Sequence, residues 1–273
     1  MTPLADADVR RAYDRLAASV QEPPHDGSLP LWIAGSRCGW ATPAAQRALA
    51  GLGAAAGDGG DARFDLAPGQ TPGAALDCLL AEAAVRLREA GCLRGWRGEL
   101  LDIHDEAGGR VGAVERAAMR PLGLLTRAVH LNGWTPGGRL WIARRALDKS
   151  TDPGMWDTLV GGLAGSGETL DQALLRESAE EAGLEPSDLA ARGPLRTVLR
   201  MRRRIPEGYQ VEDMLVSGCV LADGARPANR DGEVMEIRTA AVDEVLAMIA
   251  QGEFTAEAAL VILDDVLRRG AGR

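Results

Sequence analysis

Apolar positions along the chain switch between a helical and an alternating period, and those switches outline the fold. A charged amphipathic stretch comes first, and its spacing predicts a helix over residues 6–20. Helical patterns also cover 43–52 and 72–90, the second carrying Leu76, Leu79, Leu80 and Val85 on its apolar positions. A short apolar run at 31–34 reads as a strand. Residues 51–62, rich in Gly, Ala and Asp, read as a flexible surface loop without chemistry. A hairpin follows, with 99–104 and 111–115 flanking Asp105-Glu106-Ala107-Gly108-Gly109.

From about residue 121 the pattern changes. Segments 124–131 and 140–143 form a second hairpin around residues 132–138, and 158–160 is a short strand. Strands are expected near 195–201, 211–221 and 234–239. Helices are expected at 242–249 and 256–269, with Thr255 as cap and Gly270 as stop. The order implies an α/β (α+β) chain without internal repeats. A smaller α+β unit spans residues 1–120, and a mixed sheet with helices on both sides spans 121–273.

Residues 162–184 read GLAGSGETLDQALLRESAEEAGL and carry the chemistry. Thr169 and Gln172 stand three apart, as an N-cap hydroxyl and its reciprocal partner do. Gly183 stands where a left-handed C-terminal cap belongs. On the intervening helix Leu170, Ala173 and Leu174 make an apolar stripe, and the same stripe continues into Glu177, Glu180 and Glu181. Three like charges turned toward the body of a protein are costly unless a cation neutralises them. Hard oxygen donors without His or Cys select Mg²⁺ or Mn²⁺ over zinc. A solvated acidic helix is the bland alternative, and the alignment with the apolar stripe argues against it.

This run resembles a Nudix box, G-x5-E-x7-R-E-U-x-E-E-x-G-U, with U a bulky aliphatic residue. Gly162, Glu168, Arg176, Glu177, Glu180, Glu181, Gly183 and Leu184 fall in register, and Ser178 is the one departure. Upstream, Trp141-Ile142-Ala143-Arg144-Arg145, Lys149 and Thr151-Asp152-Pro153-Gly154-Met155-Trp156-Asp157 run into Val160-Gly161-Gly162. That stretch resembles the subfamily that includes the Nudix domain fused to some fungal thiamine pyrophosphokinases. Val114-Glu115-Arg116-Ala117, Val129-His130-Leu131-Asn132-Gly133-Trp134 and Asp231-Gly232-Glu233-Val234 match the same pattern.

The resemblance implies a Nudix α/β/α sandwich behind an N-terminal domain of unassigned function. It implies Mg²⁺, or alternatively Mn²⁺, held by Glu177, Glu180, Glu181 and the Gly162 carbonyl. By the resemblance Glu233 completes the metal shell or acts as base, beside the catalytic candidates Glu177, Glu180 and Glu181; an exposed glutamate that merely begins a strand is its equal alternative. Arg176 pairs with Glu168 to support the box. The implied reaction is hydrolysis of a small organic diphosphate, thiamine diphosphate or its oxidised (oxo and oxy) forms, to the monophosphate and phosphate. Other Nudix substrates, ADP-ribose or nucleotides, are the alternative, and a non-catalytic Nudix-fold binding module is a second.

A diphosphate needs counter-charge beyond the metal. Arg200-Met201-Arg202-Arg203-Arg204 offers it through Arg202 and Arg204, although a solvated strand end explains the run equally well. Arg144 and Arg145 alternate along one strand, so only one points inward, and Arg144 is the candidate. Trp156 is a candidate stacking wall, with a core role as its alternative. His130 reads as structural, since three histidines leave no His-based metal site.

Composition narrows the partners. A net charge of −8 argues against general nucleic-acid binding. No apolar run approaches the roughly 18 residues of a membrane span. Cys38, Cys78, Cys92 and Cys219 lack C-x2-C spacing, so neither a zinc site nor a redox dithiol is expected. A cytoplasmic protein acting on a small molecule follows, with a homodimer among the open options. The N-terminal part, which lacks a carboxylate cluster or phosphate loop, is expected to shape substrate choice, and a chain starting near Leu124 is expected to keep hydrolysis.

Overall fold

In the computed structural model, residues 6–149 and 151–271 are described. The first body is built on a four-stranded sheet in the order β2-β1-β4-β3: β1 (Leu29–Ile33), β2 (Ser36–Ala41), β3 (Gly53–Ala56) and β4 (Arg63–Leu66). Helix α2 (Pro43–Ala48) starts under Thr42, whose hydroxyl accepts the Ala45 N–H at 3.3 Å. Helix α3 (Ala74–Glu89) buries Leu76, Leu80, Ala83 and Leu87. A hairpin of β5 (Leu100–His104) and β6 (Arg110–Glu115) closes the body, and one apolar cluster runs from Leu31 to Leu124.

Two expectations fail here. The stretch 51–62 is not only a loop, because β3 occupies part of it and pairs antiparallel with β4. A side chain at Gly53 would lie 2.5 Å from the Asp65 carbonyl oxygen, so the strand needs glycine at its closest approach. The helix expected over 43–52 ends at Ala48, and the chain turns through Gly51 at φ +93°.

The second body is a seven-stranded mixed sheet ordered β11-β12-β7-β8-β13, with β10 added on β7 and β9 on β8. Its strands are β7 (Leu125–Trp134), β8 (Leu140–Arg145), β9 (Trp156–Thr158), β10 (Val160–Leu163), β11 (Arg196–Ile205), β12 (Gly208–Val220) and β13 (Val234–Ala240). Only β7 and β12 run parallel within it. Alternation along β7 sets the layers. Val129 and Leu131 pack with Ala173 and Leu174 of α4 (Leu170–Ala182). Asn132 and Trp134 point the other way, bonding to Val261 and Asp265 of α6 (Ala256–Ala271). The result is an α/β/α sandwich, with α5 (Val242–Ala250) packed beside α6. Helix α6 continues through Gly270, so that glycine is not its stop.

Helix α1 (Asp6–Ser19) packs on this second body rather than the first. Val9 meets Leu246, Leu263 and Leu267, while Val20 meets Met201, Met214 and Leu260. Gln21 bridges to Arg202 on β11. No helix among the described residues is long and apolar enough to cross a membrane, and all four cysteines are free thiols.

Candidate active site

Local signals start and stop α4 at fixed residues. Thr169 accepts the Gln172 N–H at 3.2 Å, Gln172 accepts the Thr169 N–H at 2.9 Å, and Gly183 closes the helix at φ +62°. With the ends fixed, Ala173 and Leu174 face the sheet, and the same face carries Glu177 and Glu181 one and two turns on. These two glutamates are only 9% and 6% exposed. Glu180 differs: it is exposed on the rim of the cleft, not turned inward.

Strand β10 brings the backbone to this helix face. The Gly161 N–H donates to Glu181 Oε2 at 2.8 Å. A Cβ on Gly162 would stand 2.0 Å from the Glu177 carboxyl carbon, so any side chain there displaces that carboxylate. Burial, then the charge of Glu177, push the Glu181 carboxyl up to about 8. Burial also raises Glu177, against the pull of Arg176.

Arg176 ties the preceding loop to the helix. Its Nε and Nη2 donate to Glu168 at 2.7 and 3.0 Å, Nη2 also reaches the Leu163 carbonyl at 3.1 Å, and Nη1 reaches Glu177 and Glu180 at 2.9 and 3.1 Å. The fork holds Glu168 below its ordinary range, and Glu168 in turn accepts the Gly165 N–H at 2.8 Å. Glu233 lies just ahead of β13 in an ion pair with Lys149. Burial works to raise its carboxyl, but the Lys149 ammonium outweighs burial and the net shift is downward. Asp157, beside Lys149 in the same wall, is held by Arg145 at 3.0 Å.

A cleft of about 560 Å³ gathers Gly161, Gly162, Glu168, Arg176, Glu177, Glu180, Glu181 and Glu233. Among the described residues no three His, Cys, Asp or Glu side chains already converge on one cation position. Arg176 Nη1 instead lies between Glu177 and Glu180. The donors still fit a hard divalent ion: two buried carboxylates side by side need positive charge, and every candidate donor is oxygen.

Other expected contacts lie elsewhere. Arg202 bonds to Gln21, and Arg204 to the Pro23 and Pro24 carbonyls, so both fasten the N-terminal segment to β11. Arg144 donates to the Gly154 carbonyl and lies over the Trp156 ring. Trp156 is buried with Phe254 and Ile262, and Arg238 covers it at 4.7 Å, so it offers no stacking wall. The neighbour Arg145 is the strand arginine that faces the cleft.

Residues from the first body also line it, among them Glu99, Arg116 and Arg120. At the inner end stand His130, Gln210, Glu212 and Glu257. Sequence reasoning did not single out the last three. Gln210 and Glu212 are buried polar residues two apart on one face of a largely apolar strand, which is a signal of a polar site under a buried sheet face.

The NUDIX domain family matches residues 125–260. Nudix hydrolase 20, chloroplastic, of Arabidopsis thaliana is 31% identical over 196 residues, covering 70% of this chain and 52% of that protein. The uncharacterised protein YJR142W of Saccharomyces cerevisiae is 28% identical over 194 residues, covering 65% and 56%. The chain thus spans about half the length of these curated relatives. Among solved structures, DR0079 from Deinococcus radiodurans aligns with a TM-score of 0.47 and 27% identity, over 63% of this chain and 98% of that one. Fold, box and family match define the class together: the chain belongs to the Nudix hydrolase superfamily, with an additional N-terminal region.

Proposed function

We propose that this chain is a Nudix pyrophosphohydrolase that uses a divalent metal, Mg²⁺ or Mn²⁺, to cleave a small organic diphosphate. The single observation that carries this reading is the buried pair Glu177 and Glu181, set against the Gly161-Gly162 backbone in a cleft of about 560 Å³. A volume in this range suits a small-molecule ligand.

Glu177, Glu181, Glu180 and the Gly162 carbonyl would hold the metal. When bound, such an ion neutralises diphosphate charge and activates water. The chain's own residues do the rest. Gly161 fixes the Glu181 carboxylate through its N–H, and Arg176 anchors the loop that carries Glu168. Arg116, Arg145 and Lys149 all line the cleft and would supply positive charge to the diphosphate. The proton of the attacking water goes to a carboxylate, Glu181 or Glu233, and the pH profile of Glu233→Gln separates these two.

The substrate favoured is thiamine diphosphate or one of its oxidised forms, released as the monophosphate and inorganic phosphate. Support for that choice is the resemblance from Trp141 through Gly162 and at Asp231 to Val234. Among the residues of that stretch that reach the cleft are Arg145, Lys149, Asp157 and Glu233. Phosphate release with Mg²⁺ should give a kcat/KM for thiamine diphosphate or an oxidised form above that for ADP-ribose by about tenfold, or 1.4 kcal/mol of transition-state discrimination. Faster turnover of ADP-ribose or a nucleoside triphosphate would remove the thiamine assignment and keep the metal-dependent hydrolase.

A further inference from the structure

The inner end of the cleft holds polar atoms that the reaction at phosphorus does not use. Glu212 is fully engaged: Arg120 and Thr126 both donate to its Oε2 at 2.7 Å, and Gln210 donates to Oε1 at 3.1 Å. Gln210 also donates to Glu257 Oε1 at 3.1 Å, with Arg203 3.6 Å from the same oxygen. Glu257 Oε2 has no partner and no solvent contact. His130, 4% exposed, has its Nε2 in the same condition.

The state of His130 follows from its neighbours. The Thr158 hydroxyl has one proton and places it on the Val160 carbonyl at 2.7 Å. It therefore accepts from the imidazole, whose Nδ1 stands 3.2 Å away. In neutral His130 the proton sits on Nδ1, and Nε2 is a bare acceptor. Burial depresses the affinity of this imidazole for a second proton, which keeps it in that state. Glu257 behaves oppositely, since burial and Glu212 raise its carboxyl, so it can serve as donor or acceptor.

We propose that His130 Nε2 and Glu257 Oε2, braced by Gln210 and Glu212, form a recognition site for the organic group of the diphosphate ester, and that this site selects a planar nitrogen heterocycle. Such a ring edge presents an N–H beside a ring acceptor, so it can satisfy an imidazole acceptor and a carboxyl together. An alkyl chain placed here would leave both atoms desolvated and unpaired, which is the strongest form of discrimination a binding site has. The inference rests on the hydrolase reading of the same cleft and adds the half of the substrate that the box does not address.

The test compares a ring-bearing with a ring-free diphosphate, thiamine diphosphate against isopentenyl diphosphate, in Mg²⁺ with the full chain. The wild type should favour the ring-bearing ester in kcat/KM. Glu257→Gln and His130→Leu should each lower that ratio by about tenfold, mainly through KM for the ring-bearing ester. A second measurement uses metal-free protein and thiamine itself, which lacks phosphate. Calorimetry should show binding to the wild type, weakened about tenfold in Glu257→Gln. This isosteric variant and this readout decide the matter even where His130→Leu fails to fold. An unchanged ratio in both variants, or an equal loss on both esters, overturns the recognition site and leaves the hydrolase intact. Ring binding that depends on Glu257, without turnover of any diphosphate, sinks the hydrolase reading and supports the site.

Discussion

Glu177 and Glu181 of α4 are buried beside each other, and this sets what single substitutions do. Glu181→Gln should lower metal-dependent turnover by about a hundredfold or more, because a buried ligand and charge are lost together. Without metal, glutamine stands in for a carboxyl that is still protonated near neutral pH, so the thermal midpoint should not fall there and should exceed the wild type's once pH passes about 8. Loss of stability with activity intact would exclude this helix face as the catalytic centre. The pH dependence has a definite sign. Glu181 titrates near the ordinary value of about 4.3 when unfolded, and at about 8 when folded. Between those values the folded state holds the extra proton. Metal-free stability is therefore full at the acidic end and is lost as pH rises toward 8. Glu177 and Glu257, also raised, add slope of the same sign. Unfolding in chelator across this range should show the decline, Glu181→Gln should flatten it, and saturating Mg²⁺ should reverse it.

At the scale of elements, α4 and its loop act as one piece because Arg176 spans both. Arg176→Lys keeps the charge but cannot fork onto Glu168 while reaching Leu163. Its kcat should fall by about tenfold or more, with a thermal midpoint only a few degrees lower; unchanged kcat would mean the loop is fixed by other contacts. How much of this was legible depended on where the instructions lay. Helix α4, both hairpins and the closing helices were readable because caps and periodicity sit within a few residues of each element. The edge of the first sheet was not. Ala54, Ala55 and Ala56 have little strand propensity, and their pairing with β4 is what makes them a strand. The arginines of β11 misled for a related reason. Alternation separates their two faces but does not say which one meets a cleft. The structure gives Arg202 and Arg204 to the N-terminal segment, while the cleft's arginines are Arg116, Arg120, Arg145 and Arg176. Gln210 meets Glu257 across 47 positions, a distance no local pattern spans.

Over the whole molecule, the two bodies share the cleft and α1 straps the second one. A chain beginning at Leu124, expected from sequence to keep hydrolysis, loses Arg120 and leaves Glu212 buried without its ion pair. It also uncovers the surface that Val9 and Val20 shield on α5, α6 and β11. That truncation should therefore lower the thermal midpoint sharply or yield insoluble protein; a soluble, cooperatively folded product with wild-type turnover would show that α1 and Arg120 are dispensable. The strap has a further consequence in the order of synthesis. Residues of α1 are translated well before Leu263 and Leu267, which cover them from the far end of the second body. At about 5–20 residues per second, the ribosome keeps α1 waiting for on the order of ten seconds or more. Throughout that interval its apolar side faces solvent or a chaperone, and Gln21 lacks Arg202, 181 positions downstream. Partial translation products should therefore be open to proteases within α1, and protection there should arrive only when α6 clears the exit tunnel.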